Sequence, residues 1–400
     1  MRFSARVADF GGHRVAAWDI HHAAVDAQHR GEDVIALSVG DPDFSSPDAI
    51  VEAAVRALRD GDTHYTHVPG RPALRAAIAR DHSRRSGQSD VNGDNVIVLA
   101  GAQNGLFVTS LCLFDREDEV VTFDPMYLTY EASIRASGAV PVLVPQPAAN
   151  GFRPDIMALA QAITPRTRAL WFANPSNPTG VVFTHAELEA IADLARRRNL
   201  WVVVDEVYAT LTFERPHVAI AALPDMAERT VTIGSLSKSH AMTGWRIGWI
   251  VAPSKLIRHM DNLALCMLYG LPGFIQEAAL VALEAGDAIP AQMREIYKRR
   301  CELAYAHLGN VPGLRCLIPE SGMFMLVDVR GTGLSAYDFA WALFRETGVS
   351  VLDAEAFGTS ATGFVRLAFT VADSRLAEAC DRIKRFVEAR ISAPSPQGSS

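Results

Sequence analysis

Between about Asp94 and Ser254, short apolar runs alternate with stretches of helical period, and this alternation limits the possible folds more than any other feature. NVIVLA, EVVTF, AVPVLVP, RALWFA, LWVVVDE, TVTIGS and WIVAP are rich in Val and Ile and bounded by Gly, Pro, Asn or Asp. They read as strands. They are apolar on both faces, as a sheet buried between helix layers requires. THAELEAIADLARRRN lies between two of them. Thr184 and Glu187 make a capping-box pattern there, and Leu188, Ile191, Leu194 and Ala195 form an apolar stripe. The pattern predicts an α/β domain with a doubly wound, mostly parallel sheet, whose ligands bind at the carboxyl ends of the strands.

The C-terminal part has a different rhythm. PAQMREIYKRRCELAYAHL, SAYDFAWALFRETG and SRLAEACDRIKRFVEARI read as helices, and GMFMLVDV and GFVRLAFTV as strands. This predicts a smaller α+β domain. The N-terminal arm, too short to fold alone, joins it, so the boundaries fall at 41–284 for the large domain and at 1–40 with 285–400 for the small one.

The 400 residues carry a formal net charge of −7 with no basic tract, which leaves nucleic acid without an electrostatic footprint. No apolar run approaches the roughly 20 residues of a membrane span, and the N-terminus lacks a signal core. Five widely spaced cysteines without a CxxC read as free thiols in a reducing compartment. These features predict a cytoplasmic protein, with neither nucleic acid nor membrane as partner. No metal-ligand pattern is present.

Several stretches carry chemistry. GSLSKSHAMTGWRIGW sets Lys238 among serines, with Arg246 eight positions on. A lysine forms a Schiff base only as the neutral amine, so its pKa must fall. Ser235, Ser237 and the Arg246 fork could hold a phosphate. A solvated lysine in a serine-rich loop is the plain alternative. In AGAQNGLF, the N–H groups of Gly101, Ala102 and Gln103 would open a helix and point at an anion, unless this is an ordinary turn. NPSNPTG (174–180) is a rigid loop that offers donors and acceptors. VVVDEVY places Asp205 after four apolar residues, where a buried carboxylate needs a cationic or hydrogen-bonding partner. Tyr208 follows three positions later, on the same side of a helical turn. A cap for Asp205 and core packing for Tyr208 are the alternatives. In FVRLAFT, Arg366 points opposite to Val365 and Leu367, as an arginine that grips a carboxylate would. A surface ion pair would also fit.

Taken in chain order, GAQNGL, NPSNPTG, DEVY and SLSKSHAMTGWRIGW resemble the class I/II aminotransferases of the fold-type I pyridoxal-phosphate enzymes, from about Val34 to Arg366. The resemblance implies pyridoxal 5'-phosphate as cofactor and the fold-type I transferase architecture. It implies that Lys238 carries the cofactor and then moves the proton at the substrate Cα. Asp205 would pair with the ring nitrogen, Asn177 and Tyr208 with the ring hydroxyl oxygen, and Tyr127 would stack on the ring. Gly101, Ala102, Gln103, Ser235, Ser237 and Arg246 would cradle the phosphate. Tyr65 would reach the phosphate of a neighbouring subunit, which implies a homodimer with shared sites. Arg366 would grip the substrate α-carboxylate with help from the backbone at Gly40.

No arginine stands out for a second substrate carboxylate, although Arg14 or Arg71 of a partner subunit could serve. AAWDIH, SVGDPDF and NLALCMLYG resemble members that move the amino group of L-arginine to pyruvate. Asp19 and Trp18 are the candidates for reading a guanidinium, with a helix cap and core packing as their alternatives. Aspartate, alanine or aromatic donors, a carbon–sulfur lyase or cyclase on the same scaffold, and a ligand-sensing module are the competing readings.

Overall fold

The computed structural model describes residues 15–391 together with Phe3 and Phe10. The seven apolar runs form one sheet: β1 (Val96–Leu99), β2 (Glu119–Asp124), β3 (Val140–Pro145), β4 (Thr167–Ala173), β5 (Trp201–Asp205), β6 (Thr230–Ser235) and β7 (Gly248–Val251). Their spatial order is β1-β7-β6-β5-β4-β2-β3. Only β7 runs against its neighbours, β1 and β6; every other pairing is parallel. The carboxyl ends of β1, β2, β4, β5 and β6 therefore open on one side.

Every residue of β1, β2, β6 and β7 is buried, as two-sided apolar runs demand. β3 departs from that expectation. It is an edge strand, largely exposed. Its Pro141 and Pro145 fit there, because a proline cannot donate to a ladder on both sides. The helix His185–Arg198 starts at the predicted capping box: Thr184 accepts from the Glu187 N–H, and the Glu187 carboxylate accepts from the Thr184 N–H.

The C-terminal strands β8 (Arg315–Leu317), β9 (Phe324–Asp328), β10 (Leu352–Asp353) and β11 (Phe364–Ala368) form an antiparallel sheet in the order β10-β11-β9-β8. The helices Ala288–Leu308, Ala336–Thr347 and Asp373–Ile391 pack around it. Residues 35–37 run beside this sheet. Ile35 and Ala36 pair in parallel with Val349 and Ser350, and the Leu37 carbonyl accepts from the Ala368 N–H. One apolar cluster joins the two sheets, with Leu170 and Val204 from the large one and Leu326 and Val365 from the other. No helix among the described residues is long and apolar enough to cross a membrane.

Arg300 fixes the N-terminal segment that follows. It is 4% exposed, on the helix Ala288–Leu308. Its two Nη atoms donate to both oxygens of Asp43 at 2.7 and 2.9 Å, its Nε donates to Asp373 at 2.9 Å, and Nη1 also reaches the Phe369 carbonyl. The guanidinium also lies 5.1 Å from the Phe44 ring centroid. One buried cation thus ties the segment 40–44 to two helices. Arg300→Met removes the cation and its hydrogen bonds but leaves two carboxylates that water reaches, so a loss of about 1–3 kcal/mol is expected. The denaturant midpoint of this variant is expected to fall accordingly, with the m-value unchanged.

Candidate active site

The strand ends converge on a cavity of about 290 Å³. Lys238, Arg246 and Arg366 line it as cations, and Asp41 and Asp205 as carboxylates. Lys238 and Arg246 share the loop between β6 and β7, while Asp41, Asp205 and Arg366 arrive from separate parts of the chain.

Asp205 ends β5, buried among apolar strands. Its Oδ2 accepts a hydrogen bond from Tyr130 Oη at 2.9 Å, and Oδ1 accepts from the Val207 N–H at 3.2 Å. Burial pushes its pKa up to about 6, while these two donors hold it down. Tyr130 is a site residue that the sequence reading does not single out. It lies three positions after Tyr127, and helical spacing alone would have signalled it. The two rings meet edge to face at 5.7 Å. Tyr208 lines the same cavity, and burial raises its hydroxyl pKa well above the ordinary range.

Lys238 Nζ donates to the Gly40 carbonyl at 2.6 Å. Its pKa falls to about 8, chiefly through burial; the charges of Arg366 and Arg246 add to the fall, and those of Asp41 and Asp205 oppose it. The shift runs in the direction that a Schiff-base lysine needs.

Arg366 comes from β11 and is 4% exposed. It is not the surface ion pair that a strand arginine could have been. Nη1 donates to Asn177 Oδ1 and Nη2 to the Ser38 carbonyl, both at 3.1 Å. The guanidinium lies between the Phe324 and Phe357 rings, 5.2 and 4.8 Å from their centroids. No carboxylate pairs with it among the described residues, and its Nε is buried without a partner. A buried charge held only by neutral acceptors favours an anionic ligand.

A second anion cradle lies at the start of the helix Ala102–Leu113. Gly101 has φ +87°, and a Cβ there would meet Arg246 Nη2 at 2.5 Å. Gly248 lets β7 pack against this turn, since its Cβ would lie 2.6 Å from the Ala102 nitrogen. Arg246 itself has φ 52°, and its Nη1 donates to the Thr243 carbonyl at 2.6 Å. The expectation for Gly101 needs one correction. Its N–H donates to the Leu99 carbonyl at 2.8 Å, because the tight turn folds it back onto β1. The free donors are the N–H groups of Ala102 and Gln103, the first turn of the helix. The Gln103 amide is turned into the wall, accepting from Thr129 Oγ1 and donating to Ser133 Oγ. Ser235 and Ser237 line the cavity nearby, and the Ser237 N–H donates to Ser235 Oγ.

Three expected contributors stand apart. Tyr65 is 85% exposed, outside the cavity, with its ring 4.8 Å from that of Tyr269. Trp18 lines the cavity, but Asp19 does not. Asp19 is exposed in the first turn of the helix Asp19–His29, where its charge suits the dipole. It is not the cap, a position held by Trp18 without a side-chain bond. Arg71 is engaged by Asp62 and by Glu277 at 3.5 Å. Arg14 lies outside the described residues. No cluster of metal-ligating side chains occurs among the described residues.

The lowered Lys238 pKa has a direct readout. Below about pH 8 the amine is charged and inert; above it, the neutral amine is the nucleophile. In protein freed of small ligands, acetylation of Lys238 followed by peptide mass spectrometry is expected to reach half its limiting rate near pH 8. A lysine in an unstructured peptide is expected to do so near the solution value of about 10.4. Equal profiles for the two would show that the cavity does not desolvate Lys238.

The family model for aminotransferase class I and II matches residues 32–383. The chain is similar to the arginine–pyruvate transaminase AruH of Pseudomonas aeruginosa, with 51% identity over 96% of this chain and 97% of that one. It is 35% identical to an aspartate aminotransferase of Geobacillus stearothermophilus over 98% of this chain and all of the relative. Among solved structures, the Thermus thermophilus aspartate aminotransferase with maleate superposes with a TM-score of 0.91 at 34% identity, covering 96% of this chain and 100% of that one. The fold, the cavity at the strand ends and these matches agree, and the chain belongs to the class I and II aminotransferases.

Proposed function

We propose that this aminotransferase works with pyridoxal 5'-phosphate and moves the amino group of a basic L-amino acid, arginine foremost, to pyruvate in two half-reactions. The observation that carries the reading is Arg366: a buried guanidinium without a counter-anion, in the same cavity as an amine whose pKa has fallen to about 8. Such a pair suits a substrate that brings a carboxylate next to a carbon to be deprotonated.

The residues fit the cofactor. Gly101 leaves space for the Arg246 guanidinium where any side chain would collide, and two free N–H groups adjoin it. Arg246, Ser235, Ser237 and the N–H groups of Ala102 and Gln103 would hold the phosphate. Asp205 would keep the ring nitrogen protonated, and a cation there would in turn stabilise the carboxylate that burial now disfavours. Asn177 and Tyr208 would face the ring hydroxyl oxygen, and Tyr127 the ring. When bound, the cofactor supplies the electron sink that lets a proton leave the substrate Cα. Lys238, neutral near pH 8, would take that proton and return it. Arg366, steadied by Asn177, would hold the α-carboxylate and so orient the carbon toward Nζ.

The donor assignment draws on the 51% identical relative named for arginine and pyruvate. It also draws on the cations of the cavity. Lys238, Arg246 and Arg366 each have a task, and Arg71 is paired elsewhere, so no described cation lining the cavity is left for a second carboxylate. With pyruvate as acceptor, kcat/KM for arginine and lysine is expected to exceed that for alanine and aspartate by about tenfold or more, as a charged pocket group discriminates. Arginine no better than alanine would remove the basic-donor reading and leave the aminotransferase in place.

We place the protein in the cytoplasm, in keeping with five cysteines that are all unpaired. We also take it to be a homodimer. Tyr65, 85% exposed beside the exposed Tyr269 and outside the lining of its own cavity, would then serve a neighbour's phosphate. Mixing Lys238→Ala and Tyr65→Ala proteins is expected to restore activity, because one composite site in each heterodimer regains both groups. No recovery after confirmed subunit exchange would assign Tyr65 to its own subunit.

A further inference from the structure

We propose that Asp41 selects the donor side chain, its carboxylate at the cavity mouth receiving the guanidinium or ammonium of a basic amino acid. The proposal rests on the basic-donor reading above and names the group that enforces it. It also answers a question the sequence left open, since Asp19, the acidic candidate on the N-terminal helix, does not line the cavity.

Only two carboxylates line the cavity among the described residues, Asp41 and Asp205. Asp205 lies at the buried end of β5, where Tyr130 and the Val207 N–H already engage it. Asp41 is exposed. The buried Arg366 fixes the α-carboxylate on the inner side, and Lys238 must face Cα. A side chain then has to run outward, toward the exposed part of the lining, to which Asp41 belongs.

The Asp41 carboxylate is held in place. Thr243 Oγ1 donates to Oδ1 at 2.7 Å, and the Thr243 carbonyl in turn accepts from Arg246. The preceding residue, Gly40, takes the Lys238 hydrogen bond, and Asp43, two positions on, is clamped by Arg300. Pro42 stiffens the link between them. Oδ2 has no partner among the described residues, so one oxygen remains for a cationic donor. The charge acts on the inner cavity as well, because Lys238 and His21 both feel it. A basic side chain would meet a fixed carboxylate, and an acidic side chain would meet a like charge. Attraction and repulsion would therefore discriminate in the same direction.

A competing role is that Asp41 only tunes Lys238. Binding of unreactive probes separates the two. δ-Guanidinovalerate and its neutral isostere δ-ureidovalerate both present a carboxylate to Arg366, and neither carries an α-amino group. Their dissociation constants are measured by calorimetry on the holoenzyme of the wild type, Asp41→Asn and Asp41→Lys. The wild type is expected to prefer the guanidino probe by about tenfold to a hundredfold, the range of a charge-assisted hydrogen bond. Asp41→Asn is expected to bring the two probes near parity, and Asp41→Lys to reverse the order. A wild-type preference that survives both substitutions overturns the role of Asp41 and leaves the basic donor standing. Equal weakening of both probes overturns it too, by showing that Asp41 acts at the carboxylate or amine end. No preference in the wild type removes the basic-donor reading itself, and the proposal with it.

Discussion

Desolvation at the strand ends is the constraint on which the rest of this site depends. Placing Lys238, Asp205, Tyr208 and Arg366 in one largely buried cavity moves each toward its neutral form. Lysine falls to about 8 and aspartate rises to about 6, while the tyrosine pKa goes up and the arginine pKa goes down. The protein accepts this cost because the charges have no complementary partners of their own. Arg366 has only neutral acceptors, and Asp205 has a phenol and an N–H. A ligand bringing a carboxylate, an anionic phosphate and a ring cation would offset those costs together. The cavity is thus matched to its ligands by what it leaves unpaired.

Close backbone approach makes such a cavity possible. The anion cradle needs Gly101 at positive φ under the Arg246 guanidinium, and Gly248 where β7 meets the start of the helix Ala102–Leu113. The opposite wall is held from a distance. Arg300, through Asp43, fixes the segment carrying Gly40 and Asp41, so a buried arginine outside the cavity sets the position of the carbonyl that faces Lys238. A stability element and an active-site element are here a single piece of chain.

Much of this was legible in the sequence for identifiable reasons. Strands covered on both faces must be apolar throughout, so β1, β2, β4, β5, β6 and β7 announced themselves. β3 was read with them because a Val-rich run looks the same at an edge as in the middle; only its prolines marked the difference. Lys238, Arg246, Asp205 and Asn177 lie in local motifs whose residue types have few other uses, and the structure brings them to one cavity. Tyr130 and Asp41 were passed over because each sits beside a more conspicuous neighbour, Tyr127 in one case and Gly40 in the other. Gly101 was assigned a free N–H because the motif shows the turn but not the direction in which its amide folds.

The sequence by itself determined the alternation of strand and helix, the caps, and the residue types gathered near strand ends, since all of these follow from hydrophobic period and local backbone chemistry. Only the tertiary structure decided strand order, which places β7 between β1 and β6. It also decided which carboxylate faces the cavity. Asp19 and Asp41 are both acidic residues of the N-terminal region and look equivalent in the chain. The helix Asp19–His29 leaves the first outside the cavity, and the Arg300–Asp43 and Thr243–Asp41 contacts hold the second at its mouth. Those contacts join residues some 200 to 260 positions apart, and no local rule of propensity or spacing reaches that far.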